Sequence, residues 1–265
     1  MLKFLILISL FCVFLFFYAR YIEKNSIFFP EEIIEFNPGM LNLTFEDIDF
    51  KTNDGLKINS WFIPNPLAEY TILLCHGNAG NIGNRIDRIA CFHKLKFNTF
   101  IFDYRGYGKS EGKPSEEGLY LDAEAAYRYL VKEKEIPPDK IILYGASLGG
   151  AVAIDLASKV TLRALIVEGS FSSGKEMAKN LYPYLPAFIF TVKLDSITKI
   201  KKVRCPKLFI HSVEDEIVPL RLAEELYQAS LAPKEFFKTY GSHNASFLEN
   251  EADYKKRLSS FISKI

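Results

Sequence analysis

The sequence is poor in several features that define whole classes of protein. Its 265 residues contain only four cysteines, without the spacing of a disulfide framework. Its 33 Lys and Arg nearly balance its 32 Asp and Glu, which argues against nucleic-acid binding, since that depends on clustered basic residues. It has no H-E-x-x-H, C-x-x-C, P-loop or dinucleotide fingerprint, so no metal or nucleotide cofactor is implied.

What the chain has in excess is hydrophobic residues, which make up 49% of it and include 23 Phe. This composition excludes a disordered chain. Part of the excess is concentrated in residues 1–19, where Lys3 and Ser9 are the only non-apolar members. As a helix, residues 4–19 would be about 24 Å long at roughly 1.5 Å per residue, close to the length that crosses a bilayer core.

We expect residues 1–20 to be a retained, single-pass membrane anchor. A cleaved signal peptide is one alternative, but cleavage favours small residues, and bulky Phe17 stands two positions before Ala19. A helix lying in the membrane interface is another. The side of the membrane that holds the rest of the chain stays open, because basic residues flank both ends of the run.

The remainder divides into a connector, predicted for residues 21–40, and one domain, predicted for residues 41–265. The connector contains prolines and a Pro-Gly turn signal. The domain begins with two segments, 43–51 and 56–64, on either side of an Asn-Asp-Gly turn. This arrangement predicts an antiparallel pair of strands.

From there on, strand and helix patterns alternate. Short apolar runs rich in β-branched and aromatic residues are typical of strands buried on both faces; they occupy 70–75, 97–102, 140–144, 165–168 and 207–211. Helical periodicity occupies 82–94, 115–134, 149–158 and 219–230, and a last strand and helix are expected at 236–240 and 251–265. The alternation predicts an α/β fold with a mostly parallel, doubly wound sheet.

The most informative motif is G-x-S-x-G at residues 145–149, with Ser147 at its centre. The pattern is short and therefore weak when taken alone. Its context strengthens it, because a predicted strand leads in and a predicted helix leads out, as a nucleophile elbow requires. The alternative is a serine in an ordinary turn between a strand and a helix.

A second loop, residues 75–81, follows the first parallel strand and reads CHGNAGN. In this architecture one oxyanion donor is a backbone N–H of that loop, which we assign to Asn78. The other is the N–H of the residue after the nucleophile, Leu148. We call residues 77–81 the oxyanion loop. Because His76 precedes it, we expect His76 to have a structural role rather than to be the catalytic base.

The acid and the base are expected later in the chain, in the order Ser, Asp, His. Asp215 and His243 each follow a predicted strand, at the edge where open α/β sheets bind ligands. A serine hydroxyl needs a base, and the base needs a carboxylate that orients it. Glu168, at the end of another strand, is the alternative acid.

Taken as a set, these motifs resemble those of the α/β-hydrolase family. The set comprises H-G-N-A-G-N at 76–81, D-x-R-G-x-G-x-S-x-G at 103–112, G-x-S-x-G-G at 145–150 and D-E-I-V-P at 215–219. It is similar to the membrane-anchored, bud-emergence-type abhydrolase branch. The resemblance implies a serine hydrolase with Ser147 as nucleophile, Asp215 as acid and His243 as base. It also implies structural roles for Asp103 and Arg105.

The resemblance further implies a short cap between strands six and seven, at about residues 169–206. Residues 180–191 within it are dense in aromatic residues and leucine, which predicts an apolar lid over an acyl pocket; ordinary packing onto the sheet is the alternative. Together with the anchor, a lid favours an acyl ester or thioester substrate, belonging to a lipid, a lipidated protein or a small ester. A serine peptidase or amidase, and a non-catalytic membrane scaffold, are the competing functions.

Overall fold

The computed structural model describes residues 1–265, apart from the side chains of residues 2 and 24–26. The strands of its main sheet are β1 (Glu46–Lys51), β2 (Lys57–Ile63), β3 (Thr71–Cys75), β4 (Asn98–Phe102), β5 (Ile141–Ala146), β6 (Ala164–Glu168), β7 (Lys207–Ser212) and β8 (Lys234–Thr239). Their order in space is β1-β2-β4-β3-β5-β6-β7-β8. Strand β2 is antiparallel to both of its neighbours, and the other neighbouring pairs are parallel. The mostly parallel sheet is therefore confirmed.

Helices cover both faces of this sheet. The α-helices of the chain are α1 (Leu2–Ser26), α2 (Ile86–Lys94), α3 (Glu116–Lys132), α4 (Leu148–Ala157), α5 (Gly174–Leu181), α6 (Ser196–Lys199), α7 (Leu220–Ala229), α8 (Ser246–Glu249) and α9 (Glu251–Ile262). Helices α3, α4 and α7 pack into one core cluster, and α2 and α9 pack into another. In β3, Leu73 belongs to the first cluster, while Ile72 and Leu74 belong to the second. Side chains thus alternate between two buried faces, as the apolar strand runs predict.

Helix α1 differs from the prediction in where it ends. It continues to Ser26, so the first residues of the predicted connector are helical. Its stretch Lys3–Glu23, with a mean hydropathy of 2.2, is long and apolar enough to cross a membrane by length and composition. After α1, the pair Phe29–Pro30 lies parallel to Ala79–Gly80 and forms a small second sheet. Part of the predicted connector, residues 21–40, is therefore in contact with the domain.

The cap lies between β6 and β7, where it is expected. It consists of α5, a single 3₁₀ turn at Ala187–Ile189, and α6 with the 3₁₀ turn Ile200–Lys202 that follows it. Its middle part is not packed onto the sheet, because Tyr184 is 96% exposed and Phe188 is 82% exposed. This exposure favours the lid interpretation over ordinary packing.

Gly149 is the point where α4 approaches the sheet most closely. A Cβ atom there would lie 2.1 Å from the carbonyl oxygen of Cys75 and 2.5 Å from that of His76. We therefore expect Gly149→Ala to push α4 away from β3 and to lower the free energy of unfolding by about 1–3 kcal/mol. The apparent Tm in detergent should fall by roughly 2–4 °C for each kcal/mol.

The matched control is Gly77→Ala, since a Cβ atom on Gly77 would come no closer than 3.6 Å to its neighbours. Its Tm should stay near that of the wild type. Equal Tm values for the two variants would contradict the packing argument.

Candidate active site

Ser147 stands on the sharp turn between β5 and α4. Its backbone has φ 52° and ψ −119°, a conformation that residues with side chains rarely adopt. The turn is held from both sides: the Ser147 N–H donates to the carbonyl of Glu168 at 2.8 Å, and its own carbonyl accepts from the Gly150 N–H at 2.9 Å. Strain of this kind persists only where the surroundings enforce it, and it concentrates at functional sites.

The side chains of Asp215 and His243 meet Ser147 at this edge of the sheet. Asp215 follows β7 and His243 follows the neighbouring strand β8. His243 Nε2 lies 3.0 Å from Ser147 Oγ, and His243 Nδ1 lies 2.7 Å from Asp215 Oδ2. The structure thus joins a hydroxyl, an imidazole and a carboxylate that are far apart in the sequence.

Asp215 is set up to remain ionised. Its Oδ1 accepts the backbone N–H groups of Ile217 at 3.0 Å and Val218 at 2.7 Å. Burial raises the pKa of the carboxyl, but the hydrogen bond from His243 and the other favourable contacts outweigh it, so the pKa lies below its ordinary value. A charged Asp215 in turn favours a proton on His243 Nδ1, which leaves Nε2 free to accept one.

Sequence reasoning missed two acidic residues on either side of Asp215. Glu214 accepts the Gly241 N–H at 2.6 Å, and Glu216 accepts the His243 N–H at 3.0 Å. These bonds tie the loop after β7 to the loop after β8 and so fix the backbone that carries the imidazole. The acidic run Glu-Asp-Glu is the sequence feature that could have indicated these contacts. Charge alone, however, does not predict which backbone N–H groups the carboxylates will accept.

Asn78 and Leu148, whose backbone N–H groups are the predicted oxyanion donors, lie beside Ser147. Both residues border the cavity that contains Ser147, and neither N–H donates to another of the described residues. The carbonyl of Gly77 is held from the other side, at 2.7 Å from His76 Nδ1 and 3.4 Å from Arg85 Nη2. Because C=O and N–H point in opposite directions across a trans peptide, these contacts turn the Asn78 N–H away from both side chains.

Arg85 was also missed by sequence reasoning. Besides the Gly77 carbonyl, its guanidinium donates to the carbonyl of Ala79, so it holds the oxyanion loop on both sides of Asn78. No carboxylate of the described residues lies within ion-pair distance of it. Burial and the nearby Arg88 lower its pKa, which is the effect expected of a cation that has only carbonyl partners.

His76 is buried and does not take part in the contact with Ser147. Burial, with a smaller effect of Arg85, lowers its pKa to about 3, so the imidazole is neutral. Its Nε2 lies 3.6 Å from Asp103 Oδ1, beyond hydrogen-bond distance, and that oxygen accepts the Ile82 N–H at 2.9 Å. His76 and Asp103 thus hold the loops around the site, in line with the structural roles expected of them.

Arg105, the other residue expected to be structural, pairs with two carboxylates. Its guanidinium lies 2.8 Å from buried Asp122 and 2.9 Å from Asp54 in the turn between β1 and β2. The ion pairs join the loop after β4 to α3 and to the hairpin.

Glu168, the alternative acid, points elsewhere. Its carboxylate pairs with Arg88 and accepts a hydrogen bond from the hydroxyl of Tyr144. The Tyr144 hydroxyl also meets that of Tyr254 in α9. Among the described contacts none joins the Glu168 side chain to His243, so this cluster instead joins β5 and β6 to α2 and α9 beside the site.

We expect Glu168→Gln to destabilise the protein, because it leaves the Arg88 guanidinium without its carboxylate. Removal of one partner of a buried pair costs up to about 3–5 kcal/mol, and these side chains are only 12% and 16% exposed. Thermal unfolding should show a clear drop in Tm. Glu124→Gln, which breaks a more exposed pair with Lys159, should change it little. Equal Tm values would mean that the cluster contributes no stability.

A cavity of about 360 Å³ opens beside Ser147, within the range of small-molecule sites. Its walls are mainly apolar and come from three parts of the chain. The loops that carry Asn78, Ser147 and His243 form one wall. The cap forms the second, with Phe171, Met177, Leu181, Tyr182, Phe190 and Val192, and the segment at the end of α1 forms the third, with Ile22, Ile27 and Phe29.

The sequence is similar to a family model and to several known proteins. A family model described as the alpha/beta hydrolase fold matches residues 70–189. An uncharacterized protein of Mycobacterium tuberculosis is 37% identical over 228 residues, which are 84% of this chain and 80% of that protein. The alpha/beta hydrolase domain-containing protein WAV2 of Arabidopsis thaliana is 36% identical, with 86% and 81% covered. Protein bem46 of Schizosaccharomyces pombe is 41% identical, with 69% and 64% covered.

Among solved structures, the esterase Pf2001 of Pyrococcus furiosus has a similar fold. The TM-score is 0.76 over 89% of this chain and 98% of that one. At 21% sequence identity, this likeness bears on the fold alone.

Proposed function

The chain belongs to the α/β-hydrolase family, in the group of bem46 and WAV2, and from that premise we propose that it is a membrane-anchored serine hydrolase of acyl esters or thioesters. The observation that carries the proposal is the hydrogen-bonded series Ser147, His243 and Asp215 at the mouth of an apolar cavity. A scaffold that had lost its activity would have no need to keep all three groups in contact.

In the proposed mechanism, Ser147 Oγ attacks the acyl carbonyl carbon while His243 Nε2 takes the hydroxyl proton. Asp215 stabilises the imidazolium that forms. The N–H groups of Asn78 and Leu148 bind the oxyanion of the tetrahedral intermediate. The intermediate then expels the alcohol or thiol, which takes the proton from His243, and water hydrolyses the acyl-enzyme by the same steps.

The cavity supports an acyl chain as the group that binds beside Ser147. Its cap and helix walls are apolar, and burial of apolar surface is favourable by roughly 25 cal/mol per Å². A peptidase or amidase would use the same three residues, but a peptide backbone needs hydrogen-bonding partners along its length. The apolar walls therefore favour a lipid, a lipidated protein or a small ester.

Helix α1 supports a location at a membrane. Large apolar side chains are exposed along its length, among them Phe4, Leu7, Leu10, Phe14 and Phe17. A soluble monomer rarely exposes so continuous an apolar surface. We therefore propose that α1 is a single-pass anchor, with the side of the catalytic domain left open.

A fluorophosphonate probe tests the proposed nucleophile. We expect it to label the wild type, and we expect both labelling and ester hydrolysis to be lost in Ser147→Ala. Asp215→Asn should lower kcat by about 10⁴-fold, because the base loses its orienting carboxylate. Ser170→Ala, a buried serine outside the contact series, should be labelled like the wild type. An unlabelled but well-folded wild type would sink the proposal.

A chain-length series of p-nitrophenyl esters tests the acyl cavity. We expect kcat/KM to rise from acetate to octanoate, since each buried CH₂ contributes about 0.8 kcal/mol. Met177→Trp fills part of the cavity and should shift the optimum towards shorter chains. No gain beyond acetate in the wild type would contradict an acyl-binding role. Acyl thioesters and amino-acid amides, assayed in parallel, separate thioesterase and amidase activities.

A further inference from the structure

The segment that leaves α1, residues 27–33, lies directly across the oxyanion loop. We call it the strap. Phe29–Pro30 pairs in parallel with Ala79–Gly80, and the Glu31 N–H donates to the carbonyl of Gly80 at 3.3 Å. These contacts hold the loop immediately after Asn78.

Side chains of the loop extend the same contact. The Asn78 side-chain amide donates to the carbonyl of Ile27 at 2.5 Å, and its Oδ1 accepts from the Tyr107 hydroxyl at 3.0 Å. The Asn81 amide donates to the carbonyls of Ile33 at 2.8 Å and Glu31 at 3.1 Å. Both asparagines of the loop thus donate to backbone carbonyls of the strap.

The end of α1 holds the cap in a similar way. Glu23 is only 8% exposed, and its carboxylate accepts the Thr191 N–H, the Thr191 hydroxyl at 2.9 Å and the Val192 N–H at 3.0 Å. Arg20 donates to Thr191 Oγ1 at 2.5 Å and to the carbonyl of Ile189. Charged groups with several well-placed partners fix geometry better than neutral ones.

The same segment also contributes a wall of the cavity. Ile22 on α1, which is 5% exposed, and Ile27 and Phe29 on the strap border the space beside Ser147. Ile22 is one residue from the end of the candidate span Lys3–Glu23. One residue of a helix corresponds to about 1.5 Å along its axis. The wall of the cavity therefore begins at the end of the candidate span.

From these contacts we propose that the end of α1 and the strap are parts of the active site, with two tasks. The strap positions the oxyanion loop, and Ile22 limits the length of acyl chain that the cavity accepts. The inference rests on the proposed hydrolase function and extends it. Because the cavity begins at the end of the span, the substrate is an acyl lipid that enters from the same bilayer.

Proline variants of the full-length protein test the positioning task. Glu31→Pro removes the N–H that donates to Gly80, whereas Glu35→Pro, beyond the strap, removes an N–H that donates to none of the described residues. We expect Glu31→Pro to lower kcat on p-nitrophenyl acetate by at least tenfold with little change in KM, because a small misplacement of catalytic groups costs up to about 10²-fold. Glu35→Pro should keep the wild-type kcat. Equal kcat values would overturn the positioning role.

Tryptophan variants test the specificity task and remain decisive if Glu31→Pro does not fold. Ile22→Trp narrows the cavity and should lower the ratio of octanoate to acetate hydrolysis by about tenfold, the loss of roughly two buried CH₂ groups. Phe17→Trp, at an exposed position of α1, should leave that ratio unchanged. An unchanged ratio in both variants would overturn the role of Ile22.

Vesicles test the source of the substrate. Wild-type protein in phosphatidylcholine vesicles should hydrolyse an acyl ester dissolved in its own bilayer faster than the same ester in separate vesicles. Equal rates would overturn entry from the bilayer. If the wild type reacts with the fluorophosphonate probe but all these variants match their controls, the proposed hydrolase function stands and the present inference is contradicted. If the wild type is not labelled, both the proposed function and this inference are contradicted.

Discussion

The close approach of α4 to the sheet is the constraint on which the rest of the site depends. Only a residue without a Cβ atom fits at Gly149, against the backbone carbonyls at the end of β3, and at Gly145, where a Cβ would lie 2.4 Å from the Gly149 carbonyl. Between these two glycines, Ser147 has its strained backbone conformation. The serine side chain then stands above the sheet edge, where the loops after β3, β7 and β8 can reach it.

Three carboxylates around this edge have different roles because they have different partners. Asp215 has two backbone N–H donors and an imidazole, and its pKa is lowered. Asp103 has one backbone donor, and burial raises its pKa to about 7. Glu168 has a guanidinium and a tyrosine hydroxyl as partners. Sequence position put all three near the ends of strands, but only their partners distinguish the proposed catalytic acid from the two structural groups.

Much of this arrangement could be predicted from the sequence. The β-α alternation, the hairpin at Asn53–Gly55 and the strand before Ser147 are local patterns, and the parallel sheet follows from them. The contact of Ser147, Asp215 and His243 follows as well, because the carboxyl ends of parallel strands meet at one edge. The family resemblance added the location of the cap.

The contacts that escaped prediction join distant parts of the chain without a periodic signal. Glu23 and Thr191 are 168 positions apart, and nothing in either segment identifies the other. Arg85 ends a 3₁₀ turn before α2 and Glu216 lies in a loop, and the partner of each depends on the fold and not on spacing. Proline and glycine mark turns in the predicted connector, residues 21–40, but they do not show that part of this segment packs against the domain.

The parallel pairing of the strap with the oxyanion loop also has a consequence for the order of events during synthesis. Ile27 and Asn78, which are in contact, are separated by 51 positions, and β3 together with the hairpin lies between them. Helix α1 leaves the ribosome before any strand of the sheet exists. The strap is therefore synthesised before the oxyanion loop, with which it pairs. Closure of so long a segment costs entropy that only the folded sheet can offset. The contacts between the strap and the oxyanion loop therefore form after the sheet has folded.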